Sequence, residues 1–169
     1  MDYNASTLRD RVQILACRHT EAAGWDWEPD GKAWARVELN GKRNLFSSVG
    51  LGARSATLVL RERPLTLHNA ILWQGQHLLL TGIEVKKRGW LDVTAAQVEI
   101  VLCRAEPPDG ETFPGVLTEK YISHQQLEPM AANAICYVLV TPKPVVLRPG
   151  KLVDVAGTAY HILLRHELD

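Results

Sequence analysis

The chain has 169 residues, of which 46% are hydrophobic and 7% aromatic, and its nineteen basic and nineteen acidic side chains cancel to no net charge. That length buries a core as one domain, or as one domain with a smaller module, without covalent staples. No global field draws such a chain onto nucleic acid, so a DNA contact has to come from a local basic cluster or from oligomer geometry.

The N-terminus, Met1-Asp2-Tyr3-Asn4, lacks a basic region followed by an apolar one, and no apolar run approaches the roughly twenty residues of a membrane helix. The expectation is a chain neither exported by that route nor embedded. Val12, Ile14 and Ala16 then alternate with Arg11 and Gln13, which predicts a half-buried strand. From Thr20 to Gly31 the alternation stops; Ala22-Ala23-Gly24, Glu28-Pro29-Asp30-Gly31 and the paired Trp25 and Trp27 predict a loop whose aromatics pack back on the body or face a partner. Ala33, Ala35, Val37 and Leu39 restore the strand pattern.

Asn40 to Ser55 is the unusual stretch, with three glycines, three basic residues and no acid. Leu45, Val49 and Ala53 fall at helical spacing, but Gly50 and Gly52 weaken a helix, leaving a short helix or a long loop. The plain alternative is a solvated hairpin connection; a loop of this length inside a compact β-domain is more often functional. Strands follow over residues 56–63, 69–74, 77–87 and 90–104, the last two meeting at Lys86-Lys87-Arg88-Gly89.

Residues 105–115, with Pro107-Pro108-Asp109-Gly110 and Phe113-Pro114-Gly115, read as a proline-rich connector between a first module, 1–104, and a second, 116–169. Beyond it Val116–Ser123 suits a strand and Gln125–Ala134 a short helix or loop. The strand, proline turn, strand, Gly turn and strand of residues 58–84 recur from 138 on: Pro64 matches Pro144 and Gly75 matches Gly157, the offset growing from 80 to 82 across Pro149-Gly150. Either the meander is duplicated or two strand-turn-strand units look alike. The fold class expected is all-β, a small β-barrel or sandwich with a long inter-strand loop and an appended second β-meander, its core including Val12, Ile14, Val37, Leu58, Leu60, Ile71, Val98 and Ile100.

Little in the chain suggests catalysis. Six histidines are present, but His161 and His166 are five apart on an expected strand and His68 and His77 flank the Gly75 turn, neither a ligand spacing. Cys17, Cys103 and Cys136 are odd in number and outside any Cys-x-x-Cys pattern, which argues against a disulfide framework or zinc site and suits a reducing compartment. Ser47, Ser48, Ser55 and Ser123 lie in no nucleophile elbow, and Gly50-Leu51-Gly52 lacks the third glycine of a dinucleotide loop. No catalytic, cofactor-binding or metal-binding residue is assigned, no cofactor is expected, and the chain is read as not an enzyme.

Residues 8–103, ninety-six in all, resemble the bacteriophage head closure, or head-tail joining (stopper), family in their order of features. Leu8-Arg9-Asp10-Arg11-Val12 is similar to that family's Leu-Arg-x-Arg-Ile/Val first strand, and Trp34-Ala35-Arg36-Val37-Glu38 to its Trp-Ala-x-Val segment. Gly41-Lys42-Arg43-Asn44-Leu45-Phe46 stands at its long inter-strand loop, Ala56 to Arg61 at its Thr-His-x-Val-x-Ile-Arg strand, and Ile71 to Ile83 at its final Gly-and-Tyr hairpin, with Gly75 in agreement. His77, Leu78 and Leu79 stand where a tyrosine is usual, and residues 105–169 extend beyond the usual single-domain length.

The resemblance implies a structural virion protein of the phage neck: a homo-oligomeric ring of roughly six or twelve copies, assembled in the host bacterial cytoplasm, that closes the portal channel after packaging. It implies portal or adaptor proteins above, a tail terminator or tail tube below, non-specific contact with packaged DNA and no membrane partner. Lys42, Arg43, Leu45, Phe46, Gly50 and Arg54 are then the channel-loop residues. The alternatives are a tail terminator or tail completion protein, and a cytosolic β-barrel module that binds a small ligand.

Overall fold

The structure, a computed structural model, describes residues 3–21, 23–42, 54–127 and 130–166. Among the described residues the regular elements are all β-strands except for one 3-10 turn, Ala5–Thr7, capped by the Asn4 side chain accepting from the Ser6 amide at 3.1 Å. Six strands close into an antiparallel barrel: β1 (Asp10–Thr20), β2 (Gly24–Lys42), β3 (Arg54–Arg61), β4 (Asn69–Trp73), β5 (Gln76–Lys86) and β6 (Trp90–Val98), in the order β1-β2-β3-β6-β5-β4 with β4 returning to β1. A second sheet is open. It holds β7 (Val101–Ala105), β8 (Thr112–Leu127), β9 (Met130–Val140), β10 (Leu152–Val155) and β11 (Thr158–His161), in the order β11-β10-β7-β8-β9.

Period-two alternation sets the barrel wall. Val12 and Ile14 from β1, Leu58 and Leu60 from β3, Ile71 from β4, Leu78 from β5 and Leu91 and Val93 from β6 meet in one cluster, so the interior is occupied by side chains. Val12, Ile14, Leu58, Leu60 and Ile71 are buried as expected, and Val37 packs against them half-buried. Val98 and Ile100 are not core; both are half-buried, because the chain leaves the barrel between them. Val98 makes the last β6 pairing, with His77, and Val101 makes the first pairing in the second sheet, with Gly115. The strand expected over 90–104 is therefore two.

Two further expectations are corrected. Thr20–Gly31 is no loop: β1 and β2 stay paired from Ile14↔Gly31 to Thr20↔Gly24, across a bulge at Ile14/Leu15 where Pro29 faces Leu15. The bulge and Pro29 break the alternation without ending the ladder. The described residues of 125–134 are strand rather than helix or loop, since β8 and β9 pair through Gln125↔Ala132 and Leu127↔Met130. The proline-rich stretch spans a tight turn between β7 and β8; there the Ala105 amide donates to the Glu111 carbonyl at 3.0 Å, and a Cβ on Gly110 would lie 1.5 Å from the Ala105 carbonyl oxygen.

The repeat seen in the sequence proves larger than a meander. Neither β3 and β4 nor β9 and β10 are neighbours. Instead β7 to β11 repeat the pairing order of β1 to β5, since removing β6 from the barrel leaves β5-β4-β1-β2-β3, the counterpart of β11-β10-β7-β8-β9. The registers agree: Ile14↔Ile71 in the barrel corresponds to Ala105↔Val153, and Val12↔Ala33 to Cys103↔Phe113. Both final hairpins turn on two left-handed residues, Gln74-Gly75 (φ 50° and 77°) and Ala156-Gly157 (φ 50° and 87°), the geometry that suits a two-residue hairpin.

Each sheet has its own core. Phe113, Cys103, Val145, Val153 and Val155 form the second, with Phe113 fully buried. Substituting Leu60→Ala in the barrel should cost about 2–5 kcal/mol and Phe113→Ala about 3–5 kcal/mol, read as a shift in urea midpoint. A Phe113→Ala protein as stable as the parent would show that the second cluster contributes nothing to folding.

Candidate functional site

The channel-loop residues taken from the sequence are only partly described. Arg43, Leu45, Phe46 and Gly50 lie outside the described residues. Lys42 ends β2 and Arg54 opens β3, and the two are register partners across a shift after Leu39, so they are the stems of the 43–53 segment. Arg54 is exposed and pairs on its other side with Gln97, whose side chain donates to Gln76 Oε1 at 2.7 Å. Backbone register therefore sets positions 42 and 54 side by side, at the same end of the barrel where the chain passes into the second sheet.

A second cluster, not foreseen as such, joins the two sheets. The β1–β2 hairpin tip meets the start of β8, where Thr112 Oγ1 donates to the Ala23 carbonyl at 2.7 Å. Gly24 (φ 70°) admits this approach, because a Cβ there would stand 2.4 Å from the Thr112 carbonyl oxygen. Trp25 packs against the second core rather than the barrel core, with the His19 ring edge-on at 5.1 Å. His19 Nε2 lies 3.0 Å from Glu111 Oε1 on the surface. No local sequence signal marked this approach, since Gly24-Trp25 reads equally well as an ordinary turn.

The titratable groups do not converge on a reactive centre. Burial pushes the Cys17 thiol up to about 11, with Asp26 adding to it, and does the same to Cys103 with a contribution from Asp154. Both thiols stay protonated near neutral pH and are poor nucleophiles. All three cysteines are free. Burial lowers the His77 pKa, opposed by Asp26. Among the described residues no three His, Cys, Asp or Glu side chains gather to hold a metal ion, and no helix is long and apolar enough to cross a membrane. A surface depression of about 340 Å³ on the barrel wall is lined by Arg11, Gln13, Lys32, Leu72 and Gln74, long polar side chains for the most part.

No family model matches the chain, and no curated protein sequence matches it. In comparison with solved structures it aligns with a chain of the virion of the native gene transfer agent (GTA) particle, at a TM-score of 0.42 and 19% identity, over 54% of this chain and 96% of that one.

Two outcomes check this geometry. Gly24→Val should push its side chain into Thr112, destabilise the protein by about 1–3 kcal/mol and speed proteolysis at the hairpin tip; unchanged proteolysis would contradict the close approach. The raised thiol pKa values stabilise the fold fully below the ordinary thiol value of 9.0, and that contribution is lost as pH rises through about 11. Stability should fall between those limits, and less so for Cys17→Ala/Cys103→Ala measured against its own neutral-pH value.

Proposed function

We propose that this chain is a structural virion protein of the phage neck, which forms a ring around the portal channel, closes it after DNA packaging and joins head to tail. The observation that carries this reading is the placement of the basic 40–55 segment. It links β2 to β3 of a closed barrel, the same place in the element order as the long loop of the head closure family, with Lys42 and Arg54 as register partners at its two ends. The barrel's own interior is packed, so in this reading the DNA passage runs along the ring axis, between copies rather than through one. A neutral chain suits such a role: the three cations Lys42, Arg43 and Arg54 of each copy add up around the axis to a positive bore, and phosphate contacts of that kind need no base readout.

In the assembled particle the ring's partners are portal or adaptor proteins on one side and a tail terminator or tail tube on the other. Charge reversal tests the reading. Particles carrying Lys42→Glu, Arg43→Glu and Arg54→Glu should assemble with a folded protein, since exposed substitutions usually shift stability by about 0.5 kcal/mol or less, but should lose packaged DNA, scored as the ratio of empty to full heads. Full, infectious particles would overturn the channel assignment.

A further inference from the structure

In the barrel, β6 lies between β3 and β5, antiparallel to both, and turns Leu91, Val93 and Ala95 inward. In the second sheet nothing among the described residues takes that place: β9 and β11, the counterparts of β3 and β5, are the two ends of the strand order. Incomplete burial follows the same two edges. Leu58 and Leu78 are fully buried, whereas their register counterparts Leu139 and Tyr160 are half-buried. Away from the gap the two copies match, with Val12 and Cys103 both buried, and Ile71 and Val153 likewise.

Across the gap Tyr137 of β9 and Tyr160 of β11 meet edge-on, 5.5 Å between ring centroids, with Tyr137 still 43% exposed. Side chains, not a backbone ladder, span the opening. A strand inserted there would lie about 4.8 Å from each neighbour, so the two rings part to admit it. The edge is also unguarded. Sheet edges are commonly blunted by charges, prolines or shortness, yet β9 runs eleven residues, Met130–Val140, with no charged residue and no proline.

We propose that an extended segment of another protein inserts between β9 and β11, antiparallel to both, and completes the second sheet as β6 completes the first. Main-chain hydrogen bonds on both sides supply the affinity, and apolar side chains at alternate positions face Phe113 and Val153. The position passing Tyr137 takes a small side chain, as Ala95 does beside Ala56. A second copy of this chain cannot supply the segment from its described strands, because each is already paired along at least one edge and the inserted strand has to be free on both. The donor is therefore a strand unpaired in its own protein, an extended arm or terminus. This inference does not depend on the ring reading.

A peptide of residues 89–99, the chain's own β6, is the probe, added to the full-length protein and followed by hydrogen exchange. Exchange at the β9 and β11 amides should slow at least tenfold and saturate, with the barrel strands unchanged, and a peptide with Val93→Asp and Ala95→Asp should have no effect. Three results would overturn the proposal. No protection at millimolar peptide shows that the slot does not accept a strand. Equal protection by the Asp-substituted peptide shows non-specific binding, and β9 and β11 amides already as protected as those of β3 and β5 without peptide show that the edge is closed by other means, whether by this chain or by a second copy.

Discussion

One strand, β6, determines the shape of the whole molecule. Its backbone pairs on both edges, with β3 from Arg54↔Gln97 to Arg61↔Trp90 and with β5 from His77↔Val98 to Lys86↔Trp90, and that double pairing turns a sheet into a barrel with no exposed edge. Small residues allow the tight curvature: Ala56 faces Ala95 across the β3–β6 pair, and both are buried. At its start β6 is held by more than the ladder, because Trp90 lies under the Arg61 guanidinium at 4.1 Å and Asp92 accepts from the Tyr3 hydroxyl at 2.7 Å. Where the same strand order recurs without a sixth strand, the sheet stays open and its edge residues stay half-exposed.

The two halves are nonetheless one construction. The long β1–β2 hairpin overruns the barrel and inserts Trp25 into the second core, while Gly24 lets the backbone of β8 come close. The barrel thus supplies part of the apolar surface that the second sheet lacks for itself. That arrangement explains why a tryptophan is tolerated near a hairpin tip, and why Thr112, at the first position of β8, donates its hydroxyl to a carbonyl of the other sheet.

Much of the fold was legible because alternation is a direct imprint of a sheet with one buried face. The all-β class, the barrel strands and five of the eight named core positions follow from it, and the Gln74-Gly75 and Ala156-Gly157 turns from local backbone preference. What was illegible is pairing between distant strands. The β7 segment has the same apolar character as β6, so nothing in its residues says that the chain changes sheets at Glu99-Ile100. Likewise the shared strand order was visible only as two similar glycine hairpins, because the partners that complete it, β1 with β4 and β7 with β10, are far apart in the chain. For the candidate site, composition marked the 40–55 stretch, and the structure adds the pairing of its stems. The junction residues Gly24, Trp25 and Thr112 carry no local signal that distinguishes a close approach from an ordinary turn.

The barrel interior is packed, so both proposals rest on features outside it: the segment that links β2 to β3 and the open sheet edge. The proposed neck role requires the first of these to point at a common axis, since only there do a few cations on a neutral chain add up to a field that packaged DNA would feel. Imaging the purified protein by electron cryomicroscopy tests this most directly. The account predicts a closed ring in which Lys42 and Arg54 line the central opening; a protein that stays monomeric at all concentrations, or a ring carrying those residues on its outer rim, would contradict it.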